Sequence, residues 1–105
     1  MSVKEFITLW KAEHEGEITS HSITVRLRTV PDKIDEAALE FESKAVSVNY
    51  AVYKRGDYWT DLIVFDNFNK KTVFLREHAR ATIEDVAQEL ADLKVKLYNG
   101  TFAPG

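Results

Sequence analysis

The feature that most constrains this chain is a change of hydrophobic period along it. Residues 46–53 place Val46, Val48, Tyr50 and Val52 on one parity and Ser47, Asn49, Ala51 and Tyr53 on the other. A repeat of two puts successive side chains on opposite faces of a strand, so this segment can bury one face only if it is extended. Toward both ends the repeat becomes helical. Val3, Phe6, Ile7 and Trp10 fall on one side of a helix, and Ile83, Val86, Leu90, Leu93 and Leu97 do the same near the C-terminus. Helices at the ends with alternating segments between them define an α+β chain.

The local signals set the expected limits. Ser2 stands at an N-cap position, and a first amphipathic helix is expected over 2–14, ending near Gly16. Between Ile18 and Val30, Ile23, Val25 and Leu27 alternate with Thr24, Arg26 and Arg28, the pattern of a half-buried strand. Pro31 and Asp32 break it, and Asp35–Phe41 (Asp-Glu-Ala-Ala-Leu-Glu-Phe) favours a short helix burying Ile34, Ala38 and Phe41. Gly56-Asp57 suits a two-residue type II′ turn joining the 46–53 strand to Tyr58–Asp66, and Asp66 to Lys71 forms a longer turn before a final strand over Thr72–Arg76. Thr82 with Asp85 resembles a capping box, and Asn99-Gly100 closes the last helix. The expected architecture is one domain over 1–100 with a flexible tail over 101–105 that includes Phe102. It holds a mainly antiparallel four-stranded sheet (a strand, then a three-stranded meander), an N-terminal helix, a short middle helix and a long C-terminal helix.

Composition removes several function classes. The chain has 105 residues, 45% hydrophobic and 30% charged, with no cysteine, so it can form a core unaided while disulfides, Cys-type zinc sites and thiol catalysis are excluded. The longest apolar run, Leu62–Phe65, falls far short of the roughly 20 residues of a membrane span, and acids near the N-terminus do not suit a signal peptide. A soluble, cytoplasmic protein without a membrane partner is expected. Gly16, Gly56, Gly100 and Gly105 are isolated, which excludes a P-loop or Rossmann turn, and no cofactor is expected. His14, His21 and His78 lack ligand spacing, so no metal is expected and the histidines read as solvated. Ser20-His21-Ser22 would point neighbours to opposite faces of a strand and so cannot pair nucleophile with base. The acids of 32–42 lack an apolar setting that would raise a pKa, so no catalytic residue is assigned. Arg55-Gly56-Asp57 is read as turn sequence.

What remains is surface chemistry. Acids concentrate in the segments expected to be helical, most densely at Asp32, Asp35, Glu36, Glu40 and Glu42, whereas bases concentrate on the strands. The expected molecule therefore has an acidic helical side and a mildly basic sheet side, the latter bearing Arg26, Arg28, Tyr53, Trp59 and Arg76. Leu62-Ile63-Val64-Phe65 is apolar at consecutive positions and must present apolar groups to both faces of the sheet. One helical layer covers one face; the other requires the first helix, a loop or another chain, with a symmetric homodimer the commonest supplier. The expected function is that of a small non-enzymatic macromolecule-binding protein of the immunity, inhibitor or adaptor type, acting on a protein partner or on itself through the acidic or the aromatic surface. A nucleic-acid module using the Arg and aromatic residues of the sheet is the alternative, disfavoured by the pI of about 5.6. A small-molecule or lyase-like pocket between sheet and helices is the second alternative.

Overall fold

The computed structural model describes residues 1–29 and 35–100; Asp32, Ile34 and the tail 101–105 lie outside the described residues. The chain forms α1 (Val3–Ser20), β1 (Thr24–Thr29), β2 (Glu36–Glu42), β3 (Val46–Arg55), β4 (Asp57–Asp66), β5 (Lys71–Arg80) and α2 (Ile83–Asn99). The five strands make a single sheet in the order β1-β2-β3-β4-β5, every neighbouring pair antiparallel. The α+β class, the two terminal helices and the antiparallel sheet agree with the sequence. The strand count and the middle helix do not.

Residues 36–42 form a strand where a short helix was expected. In a helix, Ala37 and Phe41 would share a face and Leu39 would fall on the opposite side. In the strand all three share one face, where none is more than 1% exposed. Leu39 pairs with Leu27 on β1 and Tyr50 on β3, and Phe41 with Val25 and Val48. Pairing on both sides satisfies the backbone and buries the apolar parity, which outweighs the few tenths of a kcal/mol per residue by which Glu, Ala and Leu favour a helix.

The first helix also runs past its expected end. Gly16 costs about 1 kcal/mol inside a helix, yet α1 continues through it to Ser20 because Ile18 extends the stripe of Val3, Ile7 and Trp10 and is fully buried. Burying an isoleucine contributes about 1.5–3 kcal/mol, enough to carry the helix through the glycine. The N-terminus of α1 is held twice. Ser2 and Glu5 form a reciprocal capping box, and the Asp35 carboxylate accepts the Val3 and Lys4 N–H groups at 2.8 and 3.1 Å. α2 begins with the Thr82–Asp85 capping box and ends at Gly100 in the left-handed conformation, as the sequence indicates.

At the β3–β4 reversal, Arg55 pairs with Asp57 and only Gly56 lies between them, with φ of 76°. That is tighter than the two-residue turn expected, and glycine supplies the positive φ without steric cost. β5 is also longer than expected, reaching Arg80.

Both helices cover the same face of the sheet. α1 lies across β1, β2 and β3, and α2 across β4 and β5. Trp10 meets Phe41 edge to face at 6.3 Å, and the helices touch each other where Lys94 Nζ reaches Glu17 Oε2 at 2.9 Å and His21 stacks on Tyr98 at 3.8 Å. Val3, Ile7, Trp10, Ile18, Val86, Leu90, Leu93 and Leu97 thus join the inward parity of the sheet in one core. Among the described residues, no helix is long and apolar enough to cross a membrane.

Candidate functional site

Because α1 and α2 share one side, no described element covers the other side of the sheet. The registers fix which residues lie there. One cross-strand row reads Arg28, Ala38, Ala51, Asp61 and Glu77 from β1 to β5, and the next reads Arg26, Glu40, Asn49, Ile63 and Leu75. Flanking rows add Glu36, Tyr53, Trp59 and Ala79 on one side and Glu42, Ser47 and Phe65 on the other. Leu75 is 72% exposed and Ile63 38%, with Trp59, Tyr53 and Phe65 half-buried beside them. The first helix therefore does not close the second face.

This placement redraws the expected electrostatics. Glu36, Glu40 and Glu42 are on the open sheet face, in company with Arg26, Arg28, Tyr53 and Trp59, because the segment that carries them is a strand. Arg26 lies 4.0 Å from both Glu40 and Glu42, contacts of little energetic weight at this exposure. Asp35 is spent on the N-terminus of α1. The open face is consequently mixed in sign, not mildly basic, and its charges are sorted across the strands. Arg26 and Arg28 stand on the β1 edge; Asp61 and Glu77 stand opposite each other on β4 and β5. Burial, reinforced by the neighbouring Glu77 and Glu36 carboxylates, pushes the Asp61 carboxyl above its ordinary range. Asp61 Oδ1 is enclosed and without a hydrogen-bond partner. The Tyr53 hydroxyl donates to Glu77 Oε2 at 3.4 Å. Burial and the charges of Asp61 and Glu77 raise the Tyr53 pKa.

Arg76 departs from the other sheet-face candidates. It pairs with Leu62 on the helix-covered side and belongs to a buried cluster under α2. There Glu89, 7% exposed, accepts from Tyr50 Oη at 2.7 Å, Arg76 at 2.5 Å and Arg80 at 2.7 Å. Burial alone would raise the Glu89 pKa, but hydrogen bonds from Arg80, Tyr50 and Thr60 overcome it and hold the carboxyl below its usual range. Burial and the adjacent Glu89 push the Tyr50 phenol strongly upward. A cleft of about 210 Å³ opens beside this cluster, with Asp85, Gln88, Asp92 and Lys96 at its rim. Every polar group of Glu89 is already engaged by the protein, so the cluster fastens α2 to β3 and β5 without leaving its carboxylate available to a ligand. The Glu89–Arg pairing was not read from the sequence; the signal for it was an acid at position 89 on the apolar stripe of α2, between Val86 and Leu90.

The histidines are dispersed. His14 lies beside Lys94, His21 stacks on Tyr98, and His78 contacts Arg80. No group of three or more His, Asp or Glu residues suited to a metal occurs among the described residues.

Fold and site together define an α+β protein with one helical layer and one uncovered, patterned sheet face. The chain matches no known family model, no curated protein and no solved structure.

Proposed function

We propose that this protein is a binding protein whose working surface is the open face of the sheet, and that what it binds is another protein. The single observation that carries this reading is that both helices lie on one side and leave Trp59, Tyr53, Ile63, Phe65 and Leu75 uncovered on the other. A set of half-buried aromatic and exposed branched aliphatic side chains rimmed by charges has the composition of an interface, in which aromatic and Arg anchors carry most of the energy. A nucleic-acid role has less support. Arg76 is committed to Glu89, and the remaining Arg26 and Arg28 share their face with Glu36, Glu40, Glu42, Asp61 and Glu77, which a polyphosphate backbone would meet unfavourably. The open face also supports the adaptor or inhibitor type of function over a pocket enzyme, since the Glu89 carboxylate beside the cleft under α2 is already bonded to Tyr50, Arg76 and Arg80.

The test is site-specific photo-crosslinking of the full chain in its native host. A photoreactive residue replacing Leu75 or Ile63 should yield a discrete product of higher mass, and one replacing Leu9 or Val95, exposed on the helical side, should not. The Leu75 product should disappear with Trp59→Ala and with Ala51→Arg. No product from either open-face position, or equal products from both sides, would remove the reading.

A further inference from the structure

The charge layout of the open face points to its occupant. We infer that this face is covered by a second copy of the chain, packed sheet to sheet about a two-fold axis that runs along β3. The inference rests on the reading of the open face as a protein-binding surface and adds the identity of the partner.

A two-fold in the plane between the sheets and parallel to the strands lays β1 of one copy over β5 of the other, β2 over β4, and β3 over itself. The row Arg28, Ala38, Ala51, Asp61, Glu77 then lies over its own reverse. Arg28 of each copy is placed above the second copy's Glu77 and beside its Asp61, twice per dimer. Within one chain these groups are poorly served. The hydrogen bond of Arg28 goes to the neutral Asn49 side chain at 3.1 Å, and Asp61 and Glu77 are like charges directly opposite each other on β4 and β5. A guanidinium from the opposite copy offsets that repulsion. A two-fold across the strands would instead stack β1 on β1 and place arginine over arginine, so it is the charges of this one row that favour the axis along β3.

Shape agrees with this arrangement. Ala38 and Ala51 form the low centre of the face, Ala38 being only 5% exposed, and let two sheets approach to the usual separation of about 10 Å. Trp59, Tyr53, Ile63, Phe65 and Leu75 stand around them. A five-stranded face with strands about 4.8 Å apart offers about 600 Å² per copy, so the pair buries about 1,200 Å², at the lower end of specific interfaces. The dimer is therefore expected to form reversibly, with a dissociation constant in the micromolar range.

The test is sedimentation equilibrium of the purified full chain from about 1 µM to about 500 µM, a span that brackets such an affinity. The mass should rise from 12.0 kDa toward twice that value. Arg28→Glu alone and Glu77→Arg alone should each weaken association by about tenfold or more, and the combined exchange Arg28→Glu/Glu77→Arg should restore it to within a few-fold of wild type. Both sites are on the surface, and unchanged circular dichroism verifies the fold. A monomer throughout the range overturns the inference, as does a dimer indifferent to both single exchanges or not restored by the double one. Failure here is distinct from failure of the binding reading: a monomer that still crosslinks from Leu75 to a different protein loses the second copy but keeps the surface.

Discussion

Asp35 and Val3 are joined by a 2.8 Å hydrogen bond from the Val3 N–H to the Asp35 carboxylate, which ties the entry of β2 to the first turn of α1. With the parallel bond from Lys4 at 3.1 Å, the acid sits where the helix dipole is positive and where two backbone donors would otherwise be unpaired. Asp35→Ala is therefore expected to destabilise the fold by about 1–2 kcal/mol. Asp35→Asn, which keeps an acceptor and loses the charge, should recover about half. Urea unfolding at pH 7 reads both, and a loss below a few tenths of a kcal/mol for the alanine variant would show that the Ser2–Glu5 capping box suffices alone.

Glu89 anchors the second helix to the sheet. Removing it leaves Arg76, Arg80 and Tyr50 facing a buried gap, so Glu89→Ala should cost about 3–5 kcal/mol, and Tyr50→Phe about 1–2 kcal/mol. The pH dependence follows from the direction of the shift. The folded-state pKa of Glu89 is depressed below that of the unfolded chain, so its contribution is complete above the unfolded value of about 4.3 and is lost as pH falls through the lower folded value. Glu89→Gln should thus flatten the decline in stability below about pH 4. An unchanged acid limb in denaturant titrations at pH 3 and pH 7 would show that other carboxylates dominate it.

Asp61 behaves in the opposite sense. Its pKa is raised, first by burial and then by Glu77 and Glu36. The folded form therefore resists ionisation more than the unfolded chain, and stability present below the unfolded value of about 3.9 is lost as pH rises through the folded one. In dilute solution, where the chain is monomeric, Asp61→Asn is expected to raise the thermal midpoint at pH 7, an increment that vanishes near pH 3 and shrinks in high salt. At high concentration the same variant should associate less, having lost a negative charge beside Arg28 of the second copy. A parallel change in stability and self-association would argue that Asp61 acts only through the fold.

The fold was legible where pattern and local chemistry agree. The N-cap at Ser2, the capping box at Thr82, the inward parity of Val48, Tyr50 and Val52, and the stripe of Val86, Leu90, Leu93 and Leu97 all follow from spacing alone. Residues 36–42 were not legible, since Glu-Ala-Ala-Leu-Glu satisfies helix propensity locally and its strand state exists only through pairing with β1 and β3. That one segment also moved Glu36, Glu40 and Glu42 from the expected helical side to the sheet face, so the candidate site was partly legible in its residues and misread in its grouping. Arg76 was misassigned because the face of β5 depends on register, which a short alternating segment beside a bulge at Val64/Phe65 does not disclose.

The glycines offer a last check on how tertiary burial decides these elements. Gly16 lies inside α1, with nothing within 4 Å of where a Cβ would stand, so its replacement by alanine meets no obstacle and removes the entropic cost of glycine in a helix. Gly16→Ala should stabilise the protein by about 0.5–1 kcal/mol. Gly56 and Gly100 also have space around them but hold φ of 76° and 64°, where an alanine is strained, so each alanine variant should lose about 1 kcal/mol. Three urea titrations measure the contrast. A destabilised Gly16→Ala would mean that the helix needs glycine at the position over which Ile18 draws it, and that the continuation of α1 to Ser20 is weaker than its buried stripe implies.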